Sequence, residues 1–149
     1  MPTINLQIPN RLQIDDSFGF WFTGFFDGER SLIIGQQPSG LGYQRIRIGQ
    51  RSNDQQVLHF IKKNLDVGDV TRSYRTPKGK PVSFYQLTDN KKLAEVIIPL
   101  FETYCLRSKK AKEYLIWKAE VLRQYSYFLN GICRKVTTEE IELTKKSIT

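Results

Sequence analysis

The sequence predicts an α+β domain: one antiparallel sheet made of two hairpins, with its helices on one face. Three observations lead there. Strand-like runs come in pairs around short turns. The longer segments between the pairs keep apolar residues at helical spacing. The resulting order is α-β-β-α-β-β-α-α, followed by a short terminal helix. A chain of 149 residues, 40% hydrophobic and 26% charged, can build one core. No repeated motif and no low-complexity linker divides it.

Residues 1–15 contain Pro2 and Pro9 and read as an extended N-terminal arm; residues 16–149 read as the domain. Asp15, Asp16 and Ser17 offer N-cap oxygens to a helix over about 18–28. The run SLIIGQQ, 31–37, reads as a strand, and Pro38-Ser-Gly-Leu-Gly as the turn after it. Residues 43–51, YQRIRIGQR, alternate apolar and polar as a second strand does. Ser52, Asn53 and Asp54 are candidate caps for a helix to about Leu65, with Val57, Leu58, Phe60, Ile61 and Leu65 at helical spacing. A third strand covers 67–75, a basic turn 77–81 and a fourth strand 82–88. Asp89 or Asn90 caps a helix to about Tyr104, and Ser108 caps a long one to about Tyr125. Thr137, Thr138 and the glutamates after them open the last helix.

The net charge of +8 and pI of about 9.6 point to a polyanion, nucleic acid first. The longest aromatic run, 18–26, is too short to span a bilayer, and no secretory signal is visible. Neither Cys105 nor Cys133 belongs to a CxxC or Cys/His cluster, which argues against structural zinc and suits a reducing compartment or core positions. His59 is the only histidine, which removes histidine–metal catalysis of the HNH kind and most serine–histidine schemes, and beside Lys62 and Lys63 it reads as the wet side of a helix.

The strand periodicity sorts the sheet into two faces. Ile46, Ile48, Val70, Tyr85 and Leu87 fall toward the helices. Tyr43, Arg45, Arg47, Arg51, Thr71, Ser73, Arg75, Phe84 and Gln86 fall on the other side. Arginine and glutamine are the side chains that read guanine and adenine edges in the major groove, which a β-ribbon can enter. Lys78 and Lys80 in the basic turn are candidates for a phosphate clamp.

The first helix is apolar almost all round: Phe18, Phe20, Trp21, Phe22, Phe25 and Phe26. Such a helix needs cover on every side, more than one small domain supplies. Gly24 and Gly28 are four apart, a spacing that lets two helix backbones approach. Self-association around a two-fold axis completes the burial, through a stripe of Phe20, Thr23, Gly24 and Asp27. Two copies of Glu29 would then meet near the axis, and paired carboxylates bind divalent cations such as Mg²⁺.

Residues 21–31, WFTGFFDGERS, resemble the LAGLIDADG motif of homing endonucleases, with Phe22 through Glu29 occupying its positions in order. Thr23 stands for the motif's alanine and Arg30 for its final glycine. Residues 106–118, LRSKKAKEYLIWK, are similar to a second stretch of that family, with Cys105 in place of the usual proline. The order of elements over 16–126 matches as well. The resemblance implies that family's fold, with a saddle-like antiparallel sheet.

By the same resemblance Glu29 is the metal-binding acid and the Gly28 carbonyl its co-ligand; Asp27 is a structural acid at the helix end. Gln50 corresponds to the residue that orients water, and Lys109 and Lys110 to the region of the catalytic lysine, with Arg107 a third candidate. Asp54 falls where some relatives carry arginine, so that basic role is missing or moved to Arg51. The implied activity is site-specific hydrolysis of both strands of a long, nearly palindromic DNA duplex by a homodimer. The implied cofactor is Mg²⁺, with Mn²⁺ able to substitute and Ca²⁺ binding without cleavage. No membrane and no small-molecule substrate is implied. An organelle or a prokaryotic cytoplasm is the family's habit. Two other readings compete. One is a non-cleaving relative of the same fold, an intron maturase or regulator. The other is an unrelated nuclease built on Asp89-Asn90-Lys91.

Overall fold

The computed structural model describes residues 8–29, 31–75 and 81–129; the side chains of Glu29, Ser31 and 72–75 lie outside that description. Helix α1 (Asp16–Glu29) starts where Asp15 Oδ1 accepts the Phe18 N–H at 2.8 Å. Strands β1 (Ser31–Gln36) and β2 (Gly42–Arg51) form the first hairpin. A 3₁₀ turn (Ser52–Asp54) leads into α2 (Gln56–Leu65), and β3 (Asp69–Arg75) and β4 (Pro81–Leu87) form the second hairpin. α3 (Asn90–Lys92), a π-helical turn (Leu93–Ile97) and α4 (Ile98–Thr103) follow directly on one another. The chain then enters α5 (Lys110–Leu129). The terminal helix expected near 137–141, the turn with Lys78 and Lys80, Arg30 and Cys133 lie outside the described residues.

Strand order is β1-β2-β4-β3, antiparallel throughout. The register pairs Ile46 with Leu87, Ile48 with Tyr85 and Val70 with Tyr85, all on the helix-facing side. β2 alternates buried and half-buried side chains along its length, as a strand covered on one face must. The core joins these residues to Phe18, Phe22 and Phe26 of α1, Leu58 and Ile61 of α2, Phe101 of α4 and Trp117 of α5. Phe22 and Trp117 are fully buried, and truncating either to alanine would cost about 3–5 kcal/mol. Tyr114 and Trp117 are thus core residues.

One local expectation changes. The cap expected from Ser52, Asn53 or Asp54 on α2 is not made; Ser52 Oγ bonds Ser83 Oγ at 2.9 Å instead. Buried Ser83 needs that partner, and the 3₁₀ turn delivers it. Asp89, by contrast, caps α3, accepting from the N–H groups of Lys91 and Lys92 at 3.0 and 3.3 Å. That accounts for Asp89 without any nuclease role. Residues 8–15 lie against the core through Ile8, Leu12 and Ile14. Arg11 Nε donates to buried Glu95 Oε1 at 2.7 Å. Among the described residues, no helix is long and apolar enough to cross a membrane.

Candidate nucleic-acid interface and acidic helix end

The second face of the sheet is built by parity. Tyr43, Arg45, Arg47, Gly49 and Arg51 of β2 stand beside Phe84 and Gln86 of β4, with Gln86 opposite Arg47 and Phe84 opposite Gly49. Thr71 of β3 sits opposite Phe84. Arg51 and Thr71 are exposed; Tyr43, Arg45, Arg47, Phe84 and Gln86 are half-buried by one another. Arg47 lies on the Phe84 ring, its Cζ 3.7 Å from the centroid, and Arg45 stands 5.1 Å over Tyr43. β3 also brings Asp69 opposite Gln86, an acid on this face that is not among the residues assigned to it from the sequence, although it shares the parity of Thr71. Ser73, Arg75, Lys78 and Lys80 cannot be added to this geometry, since their side chains lie outside the described residues.

α1 divides into an inner and an outer side. Phe18, Phe22 and Phe26 are buried, while Phe20 is 67% and Trp21 38% exposed. Gly24 and Gly28 are exposed, and a Cβ added to either would meet nothing within 4 Å. Phe20, Gly24 and Gly28 therefore mark one open stripe, four residues apart each time. Trp21 widens it, stacked on Phe25 at 5.2 Å and edge-on to exposed Phe60 of α2 at 5.3 Å.

Thr23 and Asp27, assigned to the same stripe from the sequence, lie on the next row and turn into their own chain. Thr23 is 6% exposed and its hydroxyl donates to the Tyr104 carbonyl at 3.0 Å. Tyr104 is a clamp that sequence reasoning missed. Its ring lies over Gly19, where a Cβ would come within 2.3 Å of it, and its hydroxyl donates to Asp16 at 2.5 Å. Only the glycine in an otherwise aromatic run hinted at it.

Asp27 ties the end of α1 to the start of α5, some eighty residues later. Its carboxylate accepts the N–H groups of Arg107 and Ser108 at 2.9 and 3.0 Å, and the Ser108 hydroxyl at 2.5 Å. Ser108 Oγ in turn accepts the Lys110 N–H at 3.2 Å, the expected cap of α5. Partial burial works to raise the Asp27 carboxyl pKa. The Ser108 hydroxyl, the two N–H groups and the Lys110 charge outweigh it and hold the pKa below its ordinary value. Lys109, exposed, and Lys110, half-buried, are thereby fixed beside the C-terminal turn of α1 that ends in Gly28 and Glu29. Gln50 stands elsewhere, on the part of β2 beyond the start of β1, paired with Ser83 and half-buried.

The carbonyls of the last turn of α1 have no helical partners and carry partial negative charge; that of Asp27 accepts the Ser108 hydroxyl at 3.2 Å. They are hard oxygen donors of the kind Mg²⁺ and Ca²⁺ take. Asp27, the other candidate acid at this end, is committed to Arg107 and Ser108. Among the described residues no three of His, Cys, Asp and Glu gather as a metal site.

Comparison with known proteins agrees with this architecture. Residues 22–121 match the family model described as LAGLIDADG endonuclease. A probable intron-encoded endonuclease, Cox1-I1b, of Schizosaccharomyces pombe is 29% identical over 136 residues, 89% of this chain and 34% of the relative. Probable intron-encoded endonuclease 4 of Neurospora crassa is 30% identical over 100 residues, 67% of this chain and 17% of the relative. The chain thus spans only 34% and 17% of the length of these two curated relatives. The I-SmaMI LAGLIDADG homing endonuclease bound to cleaved DNA superposes with a TM-score of 0.67 at 22% identity, covering 100% of this chain and 48% of that one. The same protein is also known bound to uncleaved DNA in the presence of calcium ions, with a TM-score of 0.65 at 22% identity over 87% of this chain and 44% of that one. These structures share the fold. With the motif opening the matched span, the chain belongs to the LAGLIDADG endonuclease family.

Proposed function

We propose that this protein is a site-specific, metal-dependent DNA endonuclease that acts as a pair of copies. One observation carries most weight. The uncovered stripe of α1 runs straight into the acid-bearing helix end, and the Asp27–Ser108 tie sets two lysines beside that end. Pairing two copies along the stripe buries Phe20 and Trp21 and doubles the acidic end at the axis. The basic sheet faces of the two copies would then flank the axis and bind a long duplex, nearly palindromic because the protein is symmetric.

Glu29 and the Gly28 carbonyl are the groups that would hold divalent metal, Mg²⁺ in the first instance, which supplies charge neutralisation at the phosphate and a more acidic water. The chain's own residues do the rest. Arg45, Arg47 and Gln86 orient the duplex through its base edges. Lys109 and Lys110 offset the charge that builds on the phosphate during attack. Gln50 holds the water by its amide.

The test uses duplexes recovered by binding selection with the full chain. With Mg²⁺, the wild type should cut both strands of the selected duplex. Glu29→Gln should bind the same duplex and cut it at least about a hundredfold more slowly. Binding without cutting by either protein would favour the non-cleaving maturase or regulator of the same fold. Equal cutting by both proteins would remove Glu29 from the mechanism.

A further inference from the structure

The sheet carries two copies of one three-residue arrangement. Gly35 faces Tyr43 across β1 and β2, and Gly49 faces Phe84 across β2 and β4. A Cβ on Gly35 would lie 2.4 Å from Tyr43 Cζ, and one on Gly49 would lie 2.9 Å from Phe84 Cε1. Each ring therefore lies down across its glycine instead of standing off the sheet. Each ring then carries a guanidinium: Arg45 on Tyr43 at 5.1 Å, Arg47 on Phe84 at 3.7 Å. Thr88 Oγ1 accepts from Arg45 Nε at 2.9 Å. Arg47 Nε is buried in its stack with no hydrogen-bond partner. In both cases the terminal nitrogens are what remains for a ligand.

A free arginine loses most of its rotamer freedom when it binds, and a stacked one has lost it already. Its planar fork matches the O6 and N7 acceptors of guanine. We propose that the two Gly–aromatic–Arg units form a guanine-reading device, an inference that rests on the DNA reading above. Arg45 and Arg47 each take one guanine. Tyr43 and Phe84 are positioning residues, not base contacts. Two residues along a strand span about 6.8 Å, and successive base pairs are about 3.4 Å apart. The two guanines are therefore about two base pairs apart in each half-site.

The experiment is selection from a randomised duplex library with the full chain, followed by competition binding with single-base changes. The wild type should enrich guanine at two positions about two steps apart. Arg47→Lys keeps the charge and loses the fork, and should lose preference at one of these positions by about tenfold or more. Phe84→Leu should lose preference at that same position, and Phe84→Tyr should keep it. A role of Phe84 in folding alone would not single out one base. If Phe84→Leu does not fold, Gly49→Ala, which pushes the ring off its bed, reads the same position. Enriched duplexes without such a guanine pair overturn the proposal and leave DNA binding standing. Loss of preference in Arg47→Lys with none in Phe84→Leu or Gly49→Ala overturns the platform role. Failure to enrich any duplex removes the DNA reading and this inference with it.

Discussion

The glycines of the sheet and the glycines of α1 make an instructive contrast. At Gly35 and Gly49 an added Cβ would collide with Tyr43 and Phe84, so the chain itself explains why no side chain is there. At Gly24 and Gly28 an added Cβ would meet open space, and glycine inside a helix is unfavourable by about 0.5–1 kcal/mol relative to alanine. Nothing among the described residues of one copy offsets that cost. The surroundings differ in the same sense. The sheet glycines bed rings that brace arginines, a surface finished and ready for a charged ligand. The helix glycines lie in a row with exposed Phe20, a surface that another apolar body would finish.

Three perturbations probe this contrast, the strongest first. Gly24→Leu should leave the melting temperature of the isolated chain unchanged or slightly raised, because leucine is the better helix former. It should weaken association of two copies by on the order of a hundredfold, since overpacking costs about 1–3 kcal/mol and each copy contributes one such residue. Sedimentation of the two proteins over a concentration series reads this directly, and unchanged association would mean the stripe is not the contact.

Asp27→Asn comes next. It removes the charge that holds the Arg107 and Ser108 N–H groups ahead of α5 and should lower stability by about 1–2 kcal/mol at neutral pH, the usual worth of hydrogen bonds to a charged group. Because the folded carboxyl pKa lies below its ordinary value, the stabilisation is complete above the unfolded value near about 4 and disappears as pH falls through the folded one. Denaturation curves of the two proteins should therefore converge in acid. A constant gap down to pH about 2 would show that the carboxylate charge is irrelevant.

Arg51→Ala has the smallest expected effect. Arg51 is exposed at the end of β2. As a phosphate contact it should lower affinity evenly across sequences and reduce the salt slope by about 1. Base-selective loss would place it among the readers with Arg45 and Arg47.

Which parts were legible in the sequence follows from the range of the interactions. The two faces of β2 were legible because side chains alternate with a period of two whatever lies around them: Ile46 and Ile48 did go in, Arg45 and Arg47 out. The caps at Asp15, Asp89 and Ser108 were legible for the same reason, each bonding an N–H within three residues. Thr23 was misplaced by one helical row, because its direction is decided by a carbonyl at Tyr104, far away in sequence. The partnership of Asp27 with Ser108 has no local signature at all, although it brings the lysines to the helix end. The pair between exposed Arg11 and Glu95, buried in the π-helical turn, was equally invisible. The ring platforms under Arg45 and Arg47 needed the strand register before they could be seen.

The most direct check of the central claim is the mass of the complex between this protein and one selected duplex, measured by sedimentation at saturating protein. Two copies per duplex, falling to weak or single occupancy with Gly24→Leu, is the outcome expected of back-to-back α1 helices. One copy per duplex at full affinity, unaffected by Gly24→Leu, would contradict it.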